Sequence, residues 1–245
     1  MRYLIDFSYS GENFNGYQRQ PRKRTIQGEI EKILTKINGG KKVVITSSGR
    51  TDKGVNALHQ MANFDFDKKI TSYKLLGALN SYLPDDIHIN NVKEVDNNFH
   101  ARYMVNTKTY LYRINIGNYS PLLRTQVYQY CKPLNIKKMK EAIKCFKGTH
   151  DFTSFVSAED KKENKVRTIY KAFINAKDDI INITFIGNGF LKYQVRNMVG
   201  ALIKVGEGKI TKDDIKKVLS LKDRKRAFIC APANGLTLTD VSYKK

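Results

Sequence analysis

The chain has 245 residues, 41% of them hydrophobic, and its 44 lysines and arginines outnumber 23 acidic residues for a net charge of +21. No apolar run reaches the length of a membrane span, and Cys131, Cys145 and Cys230 are too few and scattered for a disulfide framework or a zinc site. What remains is a globular protein with reduced thiols whose surplus charge attracts a polyanion, RNA or DNA.

Residues 2–8 alternate, with Tyr3, Ile5 and Phe7 on one face and Leu4 and Asp6 on the other, so the chain starts on a strand and not a signal peptide. The loop 9–24, YSGENFNGYQRQPRKR, interleaves Tyr9, Phe14 and Tyr17 with Arg19, Arg22, Lys23 and Arg24. Two readings are open for it: a surface that stacks on bases and neutralises phosphates, or a loop whose aromatics enter the core. Thr25 then caps a helix with Ile26, Ile30, Ile33, Leu34 and Ile37 on one stripe, closed by Gly39 and Gly40.

Residues 41–48, KKVVITSS, read as a strand. The stretch 47–60, SSGRTDKGVNALHQ, follows and holds one carboxylate, Asp52, between Arg50 and Lys53 and between Gly49 and Gly54. The next strand alternates, with Leu58, Ala62, Phe64 and Phe66 predicted on one face. A loop joining two strands can aim Asp52 into a cleft, although an aspartate beside glycines also serves as a plain turn residue. A second helix over 71–83 puts Leu75, Leu76, Leu79 and Leu83 inward and stops at Pro84, and a strand runs from about 87 to 95. Strand–helix–strand–strand–helix–strand is the split β-α-β signature.

The segment 99–117 ends in an alternating strand with Tyr110, Tyr112, Ile114 and Ile116 on one face. A short strand near 126–130 precedes a helix capped by Asn135, striped by Ile136, Met139, Ile143 and Phe146. The polar stretch 149–165 is predicted to be an exposed insertion. Strands near 166–176 and 180–186 flank a turn at Asp178 and Asp179. A helix over 190–208 places Val195, Met198, Val199, Leu202 and Ile203 inward, with Arg196 at mid-helix on the edge of that face. Such an arginine snorkels to solvent or, if buried, pairs with a carboxylate. Thr211 and Asp214 form a capping box for a last helix, and GLTLTDVSY is a final strand.

The expected fold is α+β: two ferredoxin-like halves, 1–103 and 104–245, sharing a continuous, mainly antiparallel sheet with helices on one face and a basic central cleft on the other. Three residues stand out for chemistry: Asp52 in its loop, Tyr110 in its strand and Arg196 in its helix. An arginine beside Asp52 would hold it ionised.

YSGENFNGYQRQ, SSGRTDKGVNALHQ, FHARYMVNTKTYLYRI, HDFTSF, FLKYQVRNMVGALIKVG and GLTLTDV occur in the order found in the bacterial tRNA pseudouridine synthase A family, which the chain resembles over nearly its whole length. The resemblance implies a cofactor-free and metal-free isomerisation of uridine to pseudouridine. Asp52 would be the catalytic nucleophile or base, with Tyr110 and Arg196 completing the catalytic set. Arg50 would help extrude the base, and Arg50, Tyr110, Lys53, Gln18, Arg19 and Leu236 would contact substrate. It also implies a target at positions 38, 39 and 40 of the tRNA anticodon arm and a homodimer, while the scattered cysteines and the lack of a long apolar run lead to the expectation of a cytoplasmic protein without membrane attachment. This chain departs from the family at Tyr17 (usually Trp), Lys53 (often Ala), Asn56 (usually His), and Lys192, Tyr193 and Gln194 (often His, His, Met). The competing readings are a paralogue modifying another RNA, a non-catalytic RNA-binding protein and a metal-dependent nuclease, which would need more carboxylates than the one in this loop.

Overall fold

A computed structural model describes residues 1–157, 159, 163–224 and 228–244. The chain divides into two compact units, Met1–Asn106 with Leu238–Lys245, and Thr107–Thr237. Both are mixed α+β with mainly antiparallel strands. Among the described residues, no helix is long and apolar enough to cross a membrane.

The first unit runs β1 (Arg2–Tyr9), α1 (Ile26–Ile37), β2 (Thr46–Ser47), β3 (Asn56–Asp65), α2 (Ser72–Tyr82) and β4 (Ile87–Val95). β1 lies between β3 and β4, antiparallel to both, and the late part of β10 (Leu236–Tyr243) comes next to β3. Tyr3, Ile5 and Phe7 of β1 are fully buried, as are Ile30 and Leu34 of α1 and Leu75 and Leu79 of α2, so one stripe from each element makes a common core. Thr25 caps α1 by accepting from the Gly28 amide, and Thr71 caps α2 in the same way from Lys74.

The second unit holds β5 (Val105–Asn115, from Thr107 on), β6 (Tyr128–Gln129), α3 (Ile136–Ala142), β7 (Gly148–Asp151), β8 (Val166–Lys177), β9 (Ile180–Gly187), α4 (Gln194–Gly206) and α5 (Lys212–Leu221). Its strand order is β5-β9-β8-β7, with β6 parallel to β5. β8 and β9 form the expected hairpin, with Asp178 at φ 52° in the turn. Thr211 and Asp214 make the reciprocal capping box that opens α5.

Several expectations need correction. Only Thr46 and Ser47 of the stretch 41–48 are strand; Val43 and Ile45 are buried as loop residues, and the Ile45 amide donates to the Glu31 carboxylate in place of a ladder. Leu58 is 53% exposed, because a register shift between Phe7 and Tyr9 brings Ala57 to the buried side. The helix over 190–208 begins only at Gln194, since Tyr193 takes a left-handed conformation that no helix continues through. Arg196 therefore sits in the first turn and not at mid-helix. α3 tightens into a 3-10 turn at Ile143–Phe146. The stretch 149–165 is not a wholly exposed insertion: β7 ends in it, and Phe152 and Phe155 are fully buried. Its residues 158 and 160–162 lie outside the described residues.

Candidate active site

In the first unit, the 48–56 loop is fastened on its entry side, at its tip and on its exit side. On its entry side the Ser48 hydroxyl donates to Gln60 Oε1 at 2.6 Å, and the Ser48 amide donates to Met61 O at 2.7 Å. Gln60 Nε2 reaches Gly49 O at 3.2 Å, and Ser48 and Gln60 are both buried. At the tip, Thr51 Oγ1 shares a 2.7 Å hydrogen bond with Tyr9 OH, and Thr51 O accepts from the Tyr17 amide at 3.1 Å. Burial pushes the Tyr9 phenol up to about 12, so it stays a neutral hydrogen-bonding partner. On the exit side Asp52 O accepts from the Val55 amide at 3.2 Å across a turn in which Gly54 has φ +79°. Asn56, buried on β3, accepts the Gly11 amide at 2.8 Å.

The loop 9–24 backs this turn. Gly16, at φ +88°, runs so close that a Cβ there would stand 3.3 Å from both Lys53 N and Thr51 O. Tyr9, Phe14 and Tyr17 are buried, which decides between the two readings of this loop: its aromatics belong to the core and are not exposed for stacking on bases. Arg24 pairs with both Asp86 oxygens and lies 4.1 Å over the Phe14 ring, and Arg19 Nη1 pairs with the buried Glu31. Arg50, Lys53, Gln18 and Arg19 are exposed, while Asp52 is half-buried.

In the second unit, Tyr110 sits on β5 opposite Phe185 of β9, is 8% exposed, and meets the Phe190 ring edge-on at 5.2 Å. Arg196 leaves the first turn of α4. Its Nε donates to Ala231 O at 2.8 Å, and the Ala231 amide returns a bond to Arg196 O at 3.1 Å. Its guanidinium lies 4.9 Å over the Tyr193 ring. Asn197, next along, is fully buried and donates to Phe155 O at 2.7 Å. Gly200 lets the segment at Ile229 cross against α4, since any Cβ there would be driven into the Ile229 carbonyl oxygen. The motif VRNMVG is thus read out residue by residue: core contact, carbonyl-anchored cation, buried amide, and a glycine that admits a crossing chain. Leu236 opens β10 and is buried.

The structure therefore gathers Arg50, Asp52 and Lys53 on one pinned turn, with Gln18 and Arg19 on the adjoining loop, and places Tyr110, Arg196 and Leu236 in the other unit. Residues that the sequence reading missed are those that hold the named ones: Gln60, Gly11 and Gly16 in the first unit and Ala231 in the second, while Tyr193 was marked only as a departure from the family. Glycine spacing was the one available signal, at Gly11, Gly16 and Gly200. An acceptor carbonyl such as Ala231 O leaves no mark in a sequence.

The sequence pattern of the tRNA pseudouridine synthase family matches residues 7–104 and 142–244, which include Asp52 and Arg196 but not Tyr110. The chain is 45% identical over 243 residues to tRNA pseudouridine synthase A of Geobacillus sp. (strain WCH70), covering 99% of this chain and 98% of that protein. It is 44% identical to tRNA pseudouridine synthase A of Streptococcus pyogenes serotype M49 (strain NZ131), covering 100% and 99%. Among solved structures, a Cbf5-Nop10-Gar1 complex aligns with 97% of this chain and 58% of that one, at 12% identity and a TM-score of 0.38, too faint a likeness to carry an inference.

Proposed function

Because the chain belongs to the tRNA pseudouridine synthase family, isomerases that convert uridine to pseudouridine in tRNA, we propose that Asp52 is its catalytic carboxylate, with Tyr110 and Arg196 acting on the same uridine. The observation that carries this reading is the mount of Asp52. Backbone bonds from Thr51 and Asp52 fix the turn on either side of its Cα, while the residue itself stays half-exposed.

The reaction breaks the C1′–N1 bond, turns the uracil, and joins C5 to C1′. The hydrogen on C5 leaves as a proton and N1 gains one, so nothing is oxidised or reduced. Two routes place an ionised carboxylate at the centre. In one, Asp52 attacks C1′ and the N1 electron pair departs with the base. In the other, Asp52 takes the C2′ proton as the C1′–N1 bond breaks with its pair leaving on the base, a glycal forms, and the proton returns to C2′ as C5 joins C1′. The role assigned to Arg196 is to keep the carboxylate charged, since a guanidinium beside a carboxylate favours the ionised form. Tyr110 stacks on the uracil and assists loss of the C5 proton, and Arg50 fills the place of the extruded base. Lys53, Gln18, Arg19 and Leu236 complete the substrate contacts.

The proposed target is the uridines just 3′ of the anticodon, bound by a basic cleft in a cytoplasmic homodimer. The net charge of +21 supports an extended contact with RNA phosphates.

The test uses tRNA carrying tritium on C5 of uracil. Asp52→Asn is expected to lower tritium release by at least about 100-fold while still binding tRNA. Replacing the anticodon-arm uridines is expected to abolish release from wild type. A variant that turns over at the wild-type rate would remove Asp52 from the chemistry.

A further inference from the structure

Tyr193 is a strained residue that stacks against Arg196 of the proposed site. Its φ of 64° and ψ of 0° are left-handed, a conformation that a bulky aromatic rarely adopts. It stands at the N-cap of α4, where serine, threonine, aspartate or asparagine would cap and where Tyr193 makes no side-chain cap hydrogen bond. As a capping residue it is a poor choice. As an aromatic surface it is well placed: Arg196 lies 4.9 Å over its ring and Lys192 5.3 Å over it. Strain of this kind persists only where surrounding contacts over-determine it, and it gathers at functional sites.

The left-handed turn also has a geometric consequence. It closes the turn in which the Gln194 amide donates to Leu191 O at 3.1 Å and starts α4 abruptly, so Arg196 falls in the first turn, three residues along. Its Nε is taken by Ala231 O at 2.8 Å. The ring supplies a second constraint on the planar guanidinium, from its face and not its edge. A planar cation held at its edge by a hydrogen bond and on its face by an aromatic ring has little freedom left to rotate.

We propose that Tyr193 is a positioning residue for the uridine-to-pseudouridine reaction, its ring fixing the guanidinium of Arg196 while its left-handed backbone sets where α4 begins. The inference rests on the reading of Arg196 as part of the catalytic set.

The test compares Tyr193→Gly, which the left-handed backbone accepts without strain, with Tyr193→Phe, which keeps the ring, and Arg196→Lys, each assayed by tritium release. Tyr193→Gly is expected to keep a melting temperature near wild type and an unchanged KM, but to lose about ten-fold in kcat. Tyr193→Phe is expected to restore kcat. In the Arg196→Lys background, Tyr193→Gly is expected to add little further loss, because the planar cation is already gone. If the glycine variant does not fold, Tyr193→Asn, equally tolerant of this backbone, takes its place. Wild-type kcat in the glycine or asparagine variant overturns the proposal, as does a phenylalanine variant no better than glycine. Arg196→Lys at full activity would instead overturn the reading of Arg196, so the two failures are distinct.

Discussion

Asn56 shows how one amide can hold the Asp52 turn from its edge. Its Oδ1 takes the buried Gly11 amide at 2.8 Å, joining two segments 45 residues apart. Truncating it to alanine leaves that amide without its partner away from water, a loss of about 1–3 kcal/mol. The expected outcome for Asn56→Ala is a fall of that size in unfolding free energy by denaturant titration, with kcat falling too as the Asp52 turn loosens. Unchanged stability would mean that the bond is replaced by water at no cost. The same pair marks what a sequence can disclose about residues. Gly49, Asp52 and Gly54 announce a turn with a carboxylate because their chemistry is local. The Asn56–Gly11 bond depends on a partner brought by folding, and nothing near Asn56 in the chain points to it.

Elements were legible where their determinants were local. Thr25, Asn135 and the Thr211–Asp214 box each cap the helix that their spacing predicts. The start of α4 was not legible, since apolar periodicity runs on through 190–193 while the backbone at Tyr193 forbids a helix. Nor was the shortness of β2, where a buried side chain on α1, Glu31, takes the Ile45 amide. The far end of α4 carries its own prediction. Glu207, its C-cap, is paired with Lys209 and Lys204 at 2.9 Å each and accepts from Tyr130 OH at 2.8 Å. Lys209 first, then Lys204 and the phenol, hold its carboxyl down at about 2 from the usual 4.5. A depressed acid contributes stability above its unfolded value that is lost as pH falls toward its folded one. Glu207→Gln is therefore expected to melt below wild type at neutral pH, the gap narrowing as pH drops from 4.5 toward 2. Thermal melts across that range check it, and a gap independent of pH would refute the ion-pair account.

At the scale of the molecule, charge makes the claim. A surplus of +21 meeting tRNA releases condensed counterions, so affinity is expected to fall at least ten-fold between about 50 and about 200 mM salt. Filter binding in a salt series reads this, and a flat response would place the surplus charge away from the RNA. Sedimentation equilibrium of the free protein is expected to give twice the chain mass, and a single-chain mass would sink the homodimer. The mixed α+β class was legible from element order alone. The return of the last strand was not, because β10 alternates like any strand and nothing in it names β3 as its neighbour.

That return has a bearing on how the protein is born. Residues 107–237 are translated before Leu238 onward can join the first 106. Until then Phe99 lacks the Tyr243 ring that later meets it at 5.0 Å, Ala101 O lacks the Tyr243 hydroxyl, and the part of β3 beyond its short pairing with β2 keeps a bare flank of backbone amides and carbonyls. Such a flank invites pairing with foreign strands. The ribosome therefore presents an unfinished sheet for most of synthesis, and any stall or nonsense codon past residue 106 yields a sticky product in place of a smaller working one.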